Sequence, residues 1–313
     1  MRGRFLYNAG ACEYRGDRRV SNWKLRILRT LMRALAALPW SWLHASGRAL
    51  GKLFWYFDTP EKKATQINIA LCLPELNAEQ QAQLVRASLL DFGETILEMP
   101  KLWFAPPERM LAAISAIEGE ELLRGALASG RGAIALAPHL GNWEIVGLYL
   151  GRHYATTSMY LPSQGEAVDQ LVRAGRSRSG ATLVPADTSG VRAILKVLKG
   201  GGLTAMLPDQ VPKQAGAEPA PFFGQPALTM TLASNLLQKT GARAIMVFAL
   251  RLPGGSFKLI FREPDAAIYS PDLAQSLAAL NRSVEICVRE NPAQYQWEYK
   301  RFKGQGRKNS VYR

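Results

Sequence analysis

Cysteine and histidine are scarce in this chain, with three of each in 313 residues. The cysteines Cys12, Cys72 and Cys287 lie far apart, so the sequence predicts neither a disulfide framework nor a thiolate metal site. Such isolated thiols are compatible with a reducing compartment. No cluster of histidine, cysteine and carboxylate residues at ligand spacing is visible, so we expect no metal and no other cofactor.

The N-terminal segment lacks an apolar run long enough to cross a bilayer. Its longest uncharged stretch, residues 34–47, is shorter than the roughly 20 residues that a membrane span requires. Arginines recur on one helical face and apolar residues on another, which predicts an amphipathic helix. The arginines are Arg26, Arg29 and Arg33, and the apolar residues are Leu25, Leu28, Met32 and Leu35. Nearby aromatic residues of the kind found at membrane interfaces are Trp40, Trp42, Trp55 and Tyr56.

We therefore predict that residues 1–57 form a basic, apolar segment that lies on a membrane and does not cross it. A signal peptide is not predicted, because the apolar stretch starts late and no clear cleavage site follows it. The alternative is an amphipathic helix that packs on the protein's own core.

Acidic residues are sparse at both ends of the chain. Residues 1–57 hold eleven lysines and arginines against Glu13 and Asp17, and residues 300–313 hold six against none. Of the net charge of +14, these ends carry +9 and +6, which leaves −1 for the body between them. Basic ends suit an anionic surface, either nucleic acid or lipid headgroups, unless they are simply solvated tails. A nucleic-acid-binding protein would carry its charge along the body among stacking aromatics, so we favour an anionic membrane and expect no nucleic-acid partner.

The body alternates short apolar runs with helical periodicity. Strands are predicted at 133–137, 156–161, 182–185, 203–207, 244–250 and 257–261, with helices between most of them and a loop rich in proline and glycine at 212–226. This alternation indicates an α/β fold in which helices flank a sheet. We divide the chain into the segment 1–57, a helical portion at 58–110, an α/β body at 111–303 and a basic tail at 304–313.

His139 has the context of a catalytic residue. It follows a predicted buried strand and precedes a helix, and α/β folds place their sites at the carboxyl ends of strands. Gly141 permits a tight turn, Asn142 can cap the helix, and Glu144 falls in its first turn. A carboxylate that faces the imidazole would fix its tautomer and raise its basicity, so that His139 could take a proton from a hydroxyl group. Neither a serine elbow nor a cysteine accompanies the motif, which predicts direct attack by the acceptor hydroxyl.

The sequence resembles the bacterial lipid A late acyltransferases, the lauroyl/myristoyl transferase family of lipopolysaccharide biosynthesis. The central match is Ala137-Pro138-His139-Leu140-Gly141-Asn142-Trp143-Glu144. Further matches keep their order over about residues 25–303, which makes the resemblance more specific than any one motif. They are Asn68 to Leu76, Ala174-Gly175-Arg176, Leu207-Pro208-Asp209-Gln210, Pro221-Phe222-Phe223-Gly224, Gln294-Tyr295-Gln296-Trp297 and Lys300-Arg301-Phe302.

The resemblance implies a glycerolipid-acyltransferase-like α/β fold at the cytoplasmic face of the bacterial inner membrane. Family members move an acyl chain from acyl carrier protein to a hydroxyl group of a lipid A precursor. By this resemblance His139 is the general base and Glu144 its partner. Arg176 contacts a substrate phosphate or the developing oxyanion, Asp209 orders the site, and Asn142 joins these two as a substrate-binding candidate.

Three alternatives stay open at this point. The acceptor could be another glycolipid, such as a phosphatidylinositol mannoside. The identity of the acceptor headgroup stays open because the chain reads Tyr160-Leu161-Pro162 where family members often have Tyr-Arg-Pro. One arginine that would contact a phosphate group is therefore absent. A basic nucleic-acid-binding protein is a distant alternative. A non-catalytic membrane scaffold would have no reason to retain both His139 and Glu144.

Overall fold

From Asn22 to Leu111 the protein is helical. The computed structural model describes residues 22–160, 166–212, 216–304 and 311–312. Its first five helices are α1 (Asn22–Ala37), α2 (Trp40–Tyr56), α3 (Pro60–Cys72), α4 (Ala78–Phe104) and α5 (Pro107–Leu111). The start of α4 is encoded locally, because the Asn77 side chain accepts from the backbone of Gln80 while the Gln80 side chain accepts from the backbone of Asn77. At the start of α3 the Thr59 hydroxyl oxygen accepts from the backbone N–H of Lys62, and Pro60 occupies the first turn.

A central sheet of seven strands forms the body. The strands of the body are β1 (Ile114–Glu118), β2 (Ala133–Leu136), β3 (Thr156–Tyr160), β4 (Thr182–Pro185), β5 (Leu203–Met206), β6 (Ala217–Phe222), β7 (Gln225–Met230), β8 (Arg243–Arg251) and β9 (Phe257–Arg262). The sheet runs in the order β1-β9-β8-β2-β5-β3-β4, and only the β8–β9 pair is antiparallel. The predicted α/β fold, in which helices flank a sheet, is confirmed, and the structure shows that this sheet is mostly parallel.

Helices cover both faces of this sheet. The helices of the body are α6 (Glu120–Ala128), α7 (Trp143–His153), α8 (Glu166–Ser177), α9 (Thr188–Lys199), α10 (Leu232–Thr240) and α11 (Leu273–Glu290). Alternate residues of β2 face opposite sides, so Ile134 and Leu136 join one hydrophobic core while Ala133 and Ala135 join the other. Residues of α9, α10 and α11 complete the first core, and residues of α6, α7 and α8 complete the second. The four residues of β2 are therefore fully buried.

The loop predicted at 212–226 is wrong over most of its length. Residues from Ala217 onward form the antiparallel hairpin β6–β7, outside the main sheet. Phe223 and Gly224 both have positive φ at its tip, which is typical of a tight hairpin turn. Prolines are tolerated here because each strand of a two-stranded ribbon has a free edge that needs no ladder donor.

Helices α2 and α4 cross at very short range. A Cβ atom on Gly93 would lie 2.2 Å from the carbonyl oxygen of Gly47, and one on Gly51 would lie 2.4 Å from that of Leu89. Glycine at 47, 51 and 93 therefore lets the two backbones touch. At the neighbouring turn between α1 and α2, the Lys101 ammonium donates to the carbonyl oxygens of Ala36 and Leu38.

The outer side of α1 and α2 carries large apolar residues. The exposed ones are Trp23, Ile27, Leu31, Trp42, Leu53 and Tyr56, and Phe57 directly after α2 is exposed as well. No helix in the described part of the chain is long and apolar enough to cross a membrane. Residues 1–21 lie outside the described part, so the predicted segment 1–57 is described only from Asn22 onward. That this segment associates with a membrane stays a prediction, as do the domain limits.

Candidate active site

Two polar side chains meet because their strands are neighbours. His139 follows β2 and Asp209 follows β5, and these two strands pair in parallel at the middle of the sheet. Parallel neighbours end at the same edge, so the residues that follow them lie side by side. The ladder continues past the strand ends, where the backbone N–H of Ala137 donates to the carbonyl oxygen of Met206 over 2.9 Å.

Asp209 holds His139 by two hydrogen bonds. The imidazole Nδ1 lies 2.8 Å from Asp209 Oδ1, and the backbone N–H of His139 donates to Oδ2 over 2.8 Å. Burial alone would raise the pKa of Asp209, but the charge and hydrogen bonds of His139 outweigh it and lower that pKa. An ionised carboxylate can only accept, so Nδ1 carries a proton, and in the neutral imidazole the lone pair is then on Nε2. This is the tautomer that a general base needs.

The turn that carries His139 is fixed by its backbone. Gly141 has a φ of 60°, and a Cβ atom there would lie 2.0 Å from the carbonyl oxygen of Ala249, so only glycine fits. The N–H of Asn142 donates to that same Ala249 oxygen over 2.9 Å. The distant segment 294–296 closes the other side, since Gly141 N–H donates to Gln294 and Gln296 N–H donates to His139.

Glu144 does not contact the imidazole, so the predicted His139–Glu144 pairing is wrong as a contact. The Glu144 carboxylate instead accepts from Arg176, with Nη2 at 2.5 Å, and from the indole N–H of Trp103 at 3.2 Å. The physical reason is that Glu144 lies in the first turn of α7 and points toward α8 and the end of α4, while strand order gives the imidazole to Asp209. Burial would raise the pKa of Glu144, but the Arg176 charge and these hydrogen bonds lower it, so Glu144 is ionised near neutral pH.

Asn142 caps α7 as the sequence predicts. Its Oδ1 accepts from the backbone N–H groups of Glu144 and Ile145, each over 3.1 Å. Its Nδ2 donates over 2.7 Å to Glu98 on α4, a contact that the sequence pattern did not predict. Asn142 is buried, so its amide serves the fold of the site. Its predicted role in substrate binding stays a prediction.

A mostly apolar cavity of about 90 Å³ borders the Glu144–Arg176 ion pair. Trp103 and Trp143 contribute aromatic walls, and the Trp143 ring also lies 4.9 Å from the His139 ring, centroid to centroid. Gly147 lines the cavity on α7, and a Cβ atom there would meet nothing within 4 Å. The other lining residues include Leu102, Val146, Leu150, Met159, Leu183 and Leu207. Such a lining suits an alkyl chain and leaves the ion pair as its polar end.

Within the described ranges, no group of three histidine, cysteine or carboxylate residues could hold a metal ion.

The five predicted site residues lie in one region of the molecule. They are joined by the separate contacts described above and not by a single network. These residues are His139, Asn142, Glu144, Arg176 and Asp209. Of the Tyr160-Leu161-Pro162 motif, Leu161 and Pro162 lie outside the described residues.

A half-buried imidazole held by a carboxylate at the strand ends, next to an apolar cavity, defines an enzyme site suited to proton removal from a substrate that carries a hydrocarbon chain. The sequence family described as bacterial lipid A biosynthesis acyltransferase matches residues 18–304. The chain belongs to this family, and it is an acyltransferase.

The most informative relatives act on lipids by name. The chain is 27% identical to the lipid A biosynthesis lauroyltransferase of Escherichia coli (strain K12), over 85% of this chain and 87% of that protein. It is 26% identical to the lipid A biosynthesis palmitoleoyltransferase of the same organism, over 85% and 86%. It is also 27% identical to the phosphatidylinositol mannoside acyltransferase of Mycobacterium tuberculosis (strain CDC 1551 / Oshkosh), over 56% and 57%.

Proposed function

We propose that this chain transfers a fatty acyl group from the thioester of an acyl carrier protein to a hydroxyl group of a lipid A precursor. Membership of the lipid A acyltransferase family supports the acyl transfer and the class of acceptor. The observation that carries the chemistry is the His139–Asp209 pair at the carboxyl edge of the sheet, beside an apolar cavity.

In this proposal His139 acts as the general base. Nδ1–H stays bonded to Asp209, and Nε2 takes the proton of the acceptor hydroxyl as its oxygen attacks the thioester carbon. A new C–O bond forms, the C–S bond breaks, and the proton held by Nε2 passes to the departing thiolate. No acyl-enzyme is formed, because no serine or cysteine side chain stands at His139 in the described structure. Asp209 stabilises the imidazolium that exists between the two proton transfers.

Arg176 is proposed to bind negative charge, either a phosphate group of the acceptor or the oxygen of the thioester carbonyl as it becomes an oxyanion. Its guanidinium is held by Glu144 through Nε and Nη2, which fixes its orientation before substrate binds. A preorganised cation next to a mostly apolar cavity is an arrangement that stabilises developing charge.

The acyl chain of the donor is proposed to enter the cavity between α7 and α8. The acyl carrier protein and a membrane carrying anionic lipids are the proposed partners, because acyl carrier protein is acidic and the protein's net charge is +14. The proposed location is the cytoplasmic face of the inner membrane, and membrane binding there is supported by the exposed apolar residues of α1 and α2 and by the exposed Arg26, Arg29 and Arg33.

The direct test is acyl transfer in detergent micelles by wild type, by His139→Ala and by His153→Ala. The substrates are lauroyl-acyl carrier protein and a tetra-acylated lipid A precursor, and mass spectrometry detects the product. We expect one acyl chain to be added by wild type and by His153→Ala, since His153 is exposed at the end of α7. His139→Ala should lose about 10²–10⁴-fold in kcat. Equal rates for His139→Ala and wild type would remove His139 from the mechanism.

The cavity is tested by Gly147→Leu, with Gly125→Leu as its matched control. Both glycines lie inside helices where a Cβ atom meets nothing, but only Gly147 lines the cavity. If the acyl chain occupies this cavity, the leucine at 147 should shift donor preference toward shorter chains while the leucine at 125 leaves it unchanged. An unchanged preference in both variants would place the acyl chain elsewhere.

A second acceptor class is favoured by one observation, the similarity to the phosphatidylinositol mannoside acyltransferase over about half of each chain. The same mechanism would then esterify a hydroxyl group of a glycosylated phospholipid. Offering both acceptors to the same enzyme separates the two cases, because only the true acceptor gains the mass of an acyl chain.

A further inference from the structure

Glu98 is a fully buried carboxylate near the middle of the molecule, outside the catalytic pair. It lies near the end of α4 and accepts hydrogen bonds from three side chains. Arg251 donates to it through Nε and Nη2, each over 2.7 Å. His44 on α2 lies 2.8 Å away, and Asn142 donates through Nδ2 over 2.7 Å. One carboxylate on α4 therefore joins α2, the end of β8 and the start of α7.

The charge of Glu98 is held in place by this surrounding. Burial alone would raise its pKa, but the charge of Arg251 and the hydrogen bonds of Arg251, His44 and Asn142 lower that pKa to about 2. A buried charge is tolerated only when its partners and lone pairs are satisfied, and here both oxygens are. Glu98 is therefore an ionised acceptor that cannot turn away from Asn142 without leaving Arg251.

The contact matters because the Asn142 amide has two different ends. Its oxygen caps α7 by accepting from Glu144 and Ile145, while its nitrogen faces Glu98. An acceptor-only partner at the nitrogen end fixes which way the amide points. If the amide turned over, its N–H₂ group would face the N–H groups of α7, and the first turn would lose its cap. That first turn carries Glu144, which holds Arg176 and Trp103 at the cavity.

We propose that Glu98 is a positioning residue of the active site, which acts through Asn142 to hold Glu144 and hence Arg176 in their places. Its effect on turnover rests on the proposed function, whereas its effect on the geometry of Glu144 does not. Glu98 touches neither His139 nor the cavity, so its contribution is orientation alone.

Glu98→Gln is compared with Glu94→Gln. Glu94 lies one turn earlier on α4, is also buried, and lies 3.8 Å from Arg251, but it has no contact with Asn142. Because misplacement of a catalytic group by about 1 Å can cost as much as about 10²-fold, we expect Glu98→Gln to lower kcat about tenfold or more with KM changed little. Glu94→Gln should keep kcat within about twofold of wild type, since it removes a similar charge without touching the cap.

The position of Glu144 is measured without turnover by the indole N–H resonance of Trp103, because that group donates to Glu144. The resonance is assigned with Trp103→Phe in protein labelled with ¹⁵N at tryptophan. We expect it to move in Glu98→Gln and in Asn142→Ser, which retains a capping oxygen but loses the amide nitrogen, and to stay in place in Glu94→Gln. Thermal melts show that each variant is folded.

Reversal of the polarity of the contact provides the rescue. Asn142→Asp places a second carboxylate against Glu98 and should lower kcat, while Glu98→Gln/Asn142→Asp allows the glutamine amide to donate to the aspartate and should recover turnover above that of Asn142→Asp alone. The proposal is overturned if Glu98→Gln/Asn142→Asp turns over no faster than Asn142→Asp and the Trp103 resonance does not move in Glu98→Gln. Equal losses of kcat in Glu98→Gln and Glu94→Gln would overturn it as well. Wild type inactive on every acceptor, with the Trp103 shifts as expected, would instead overturn the proposed function and leave the positioning role standing.

Discussion

Two buried carboxylates beside the catalytic turn have different partners. Asp209 bonds the imidazole and the backbone of His139, whereas Glu144 bonds Arg176 and Trp103. For both, the pKa is lowered because a neighbouring charge outweighs the effect of burial, so both are acceptors near neutral pH. Their substitution should therefore have different consequences for turnover.

Asp209→Asn is expected to lower kcat by about 10²–10⁴-fold, because an amide cannot hold both N–H donors of His139 and stabilise the imidazolium. The control is Asp187→Asn, which changes an exposed cap of α9 to another good capping residue. Steady-state kinetics measures kcat for both variants, and circular dichroism shows whether they are folded. Turnover near that of wild type in Asp209→Asn would contradict the proposed role of Asp209.

The environment of Glu298 leads us to expect that the free energy of unfolding depends on pH. One of its carboxylate oxygens is buried without a hydrogen-bond partner, and burial raises its pKa to about 8. Because the folded state binds this proton more tightly than the unfolded state, stability is lost as pH rises from about 4.5 to about 8. Glu298→Gln should therefore add up to a few kcal/mol to the free energy of unfolding at pH 9 and much less at pH 5.

Urea unfolding of wild type and Glu298→Gln at both pH values measures this difference. Glu218→Gln, on the exposed side of β6, serves as the control and should show no such change. A stabilisation by Glu298→Gln that is the same at pH 5 and pH 9 would argue against a buried proton at this position.

At this scale the sequence was informative about residue types and less so about their partners. His139 and Asn142 are recognisable because one follows a strand and the other caps a helix, whereas Asp209 was identified through the family resemblance. That Asp209 and not Glu144 faces the imidazole depends on β2 and β5 being neighbours, and strand order is not visible in a linear pattern. Glu98, Arg251 and Trp103 look like ordinary residues of amphipathic elements, since only the packing of α4 against α7 and β8 gives them their contacts.

At the scale of the elements, the crossing of α2 and α4 determines how the N-terminal helices sit. Alanine is a better helix former than glycine, yet Gly93→Ala should destabilise the protein by about 1–3 kcal/mol, because its Cβ atom has no room against the α2 backbone. Gly125→Ala should stabilise it by about 0.5–1 kcal/mol, because that helical position is open. Chemical unfolding of both variants tests this contrast, and equal effects would mean that the helices part without cost.

The strands and helices of the body follow from hydrophobic periodicity, and the predicted strands at 133–137, 203–207 and 244–250 correspond to β2, β5 and β8. The hairpin β6–β7 does not follow from hydrophobic periodicity, because a stretch rich in proline and glycine is more typical of loops. It forms because residues such as Phe222 and Ala227 are buried against α11 and the C-terminal aromatics, which is a tertiary effect.

For the whole molecule, the exposed apolar side of the N-terminal helices predicts how the protein meets lipid. Trp42, Leu53 and Tyr56 fall on one face of α2 by their spacing and are exposed. The triple variant Trp42→Gln/Leu53→Gln/Tyr56→Gln should lose most of its binding to anionic vesicles in flotation, because each side chain contributes apolar area to an interface. Ile286→Gln, an equally exposed apolar residue on α11, should not. Equal binding of the triple variant and wild type would exclude this face.

The turn that carries His139 is closed by residues 294–296, and this has a consequence during synthesis of the protein on the ribosome. A nascent chain that has emerged only as far as the end of the loop after β5 contains both His139 and Asp209, but the backbone partners of Gly141 and His139 have not yet been made. Translation at about 5–20 residues per second leaves on the order of ten seconds before those partners are added. The enzyme is thus expected to become competent late in its own synthesis, so that chains broken off early would not carry out acyl transfer.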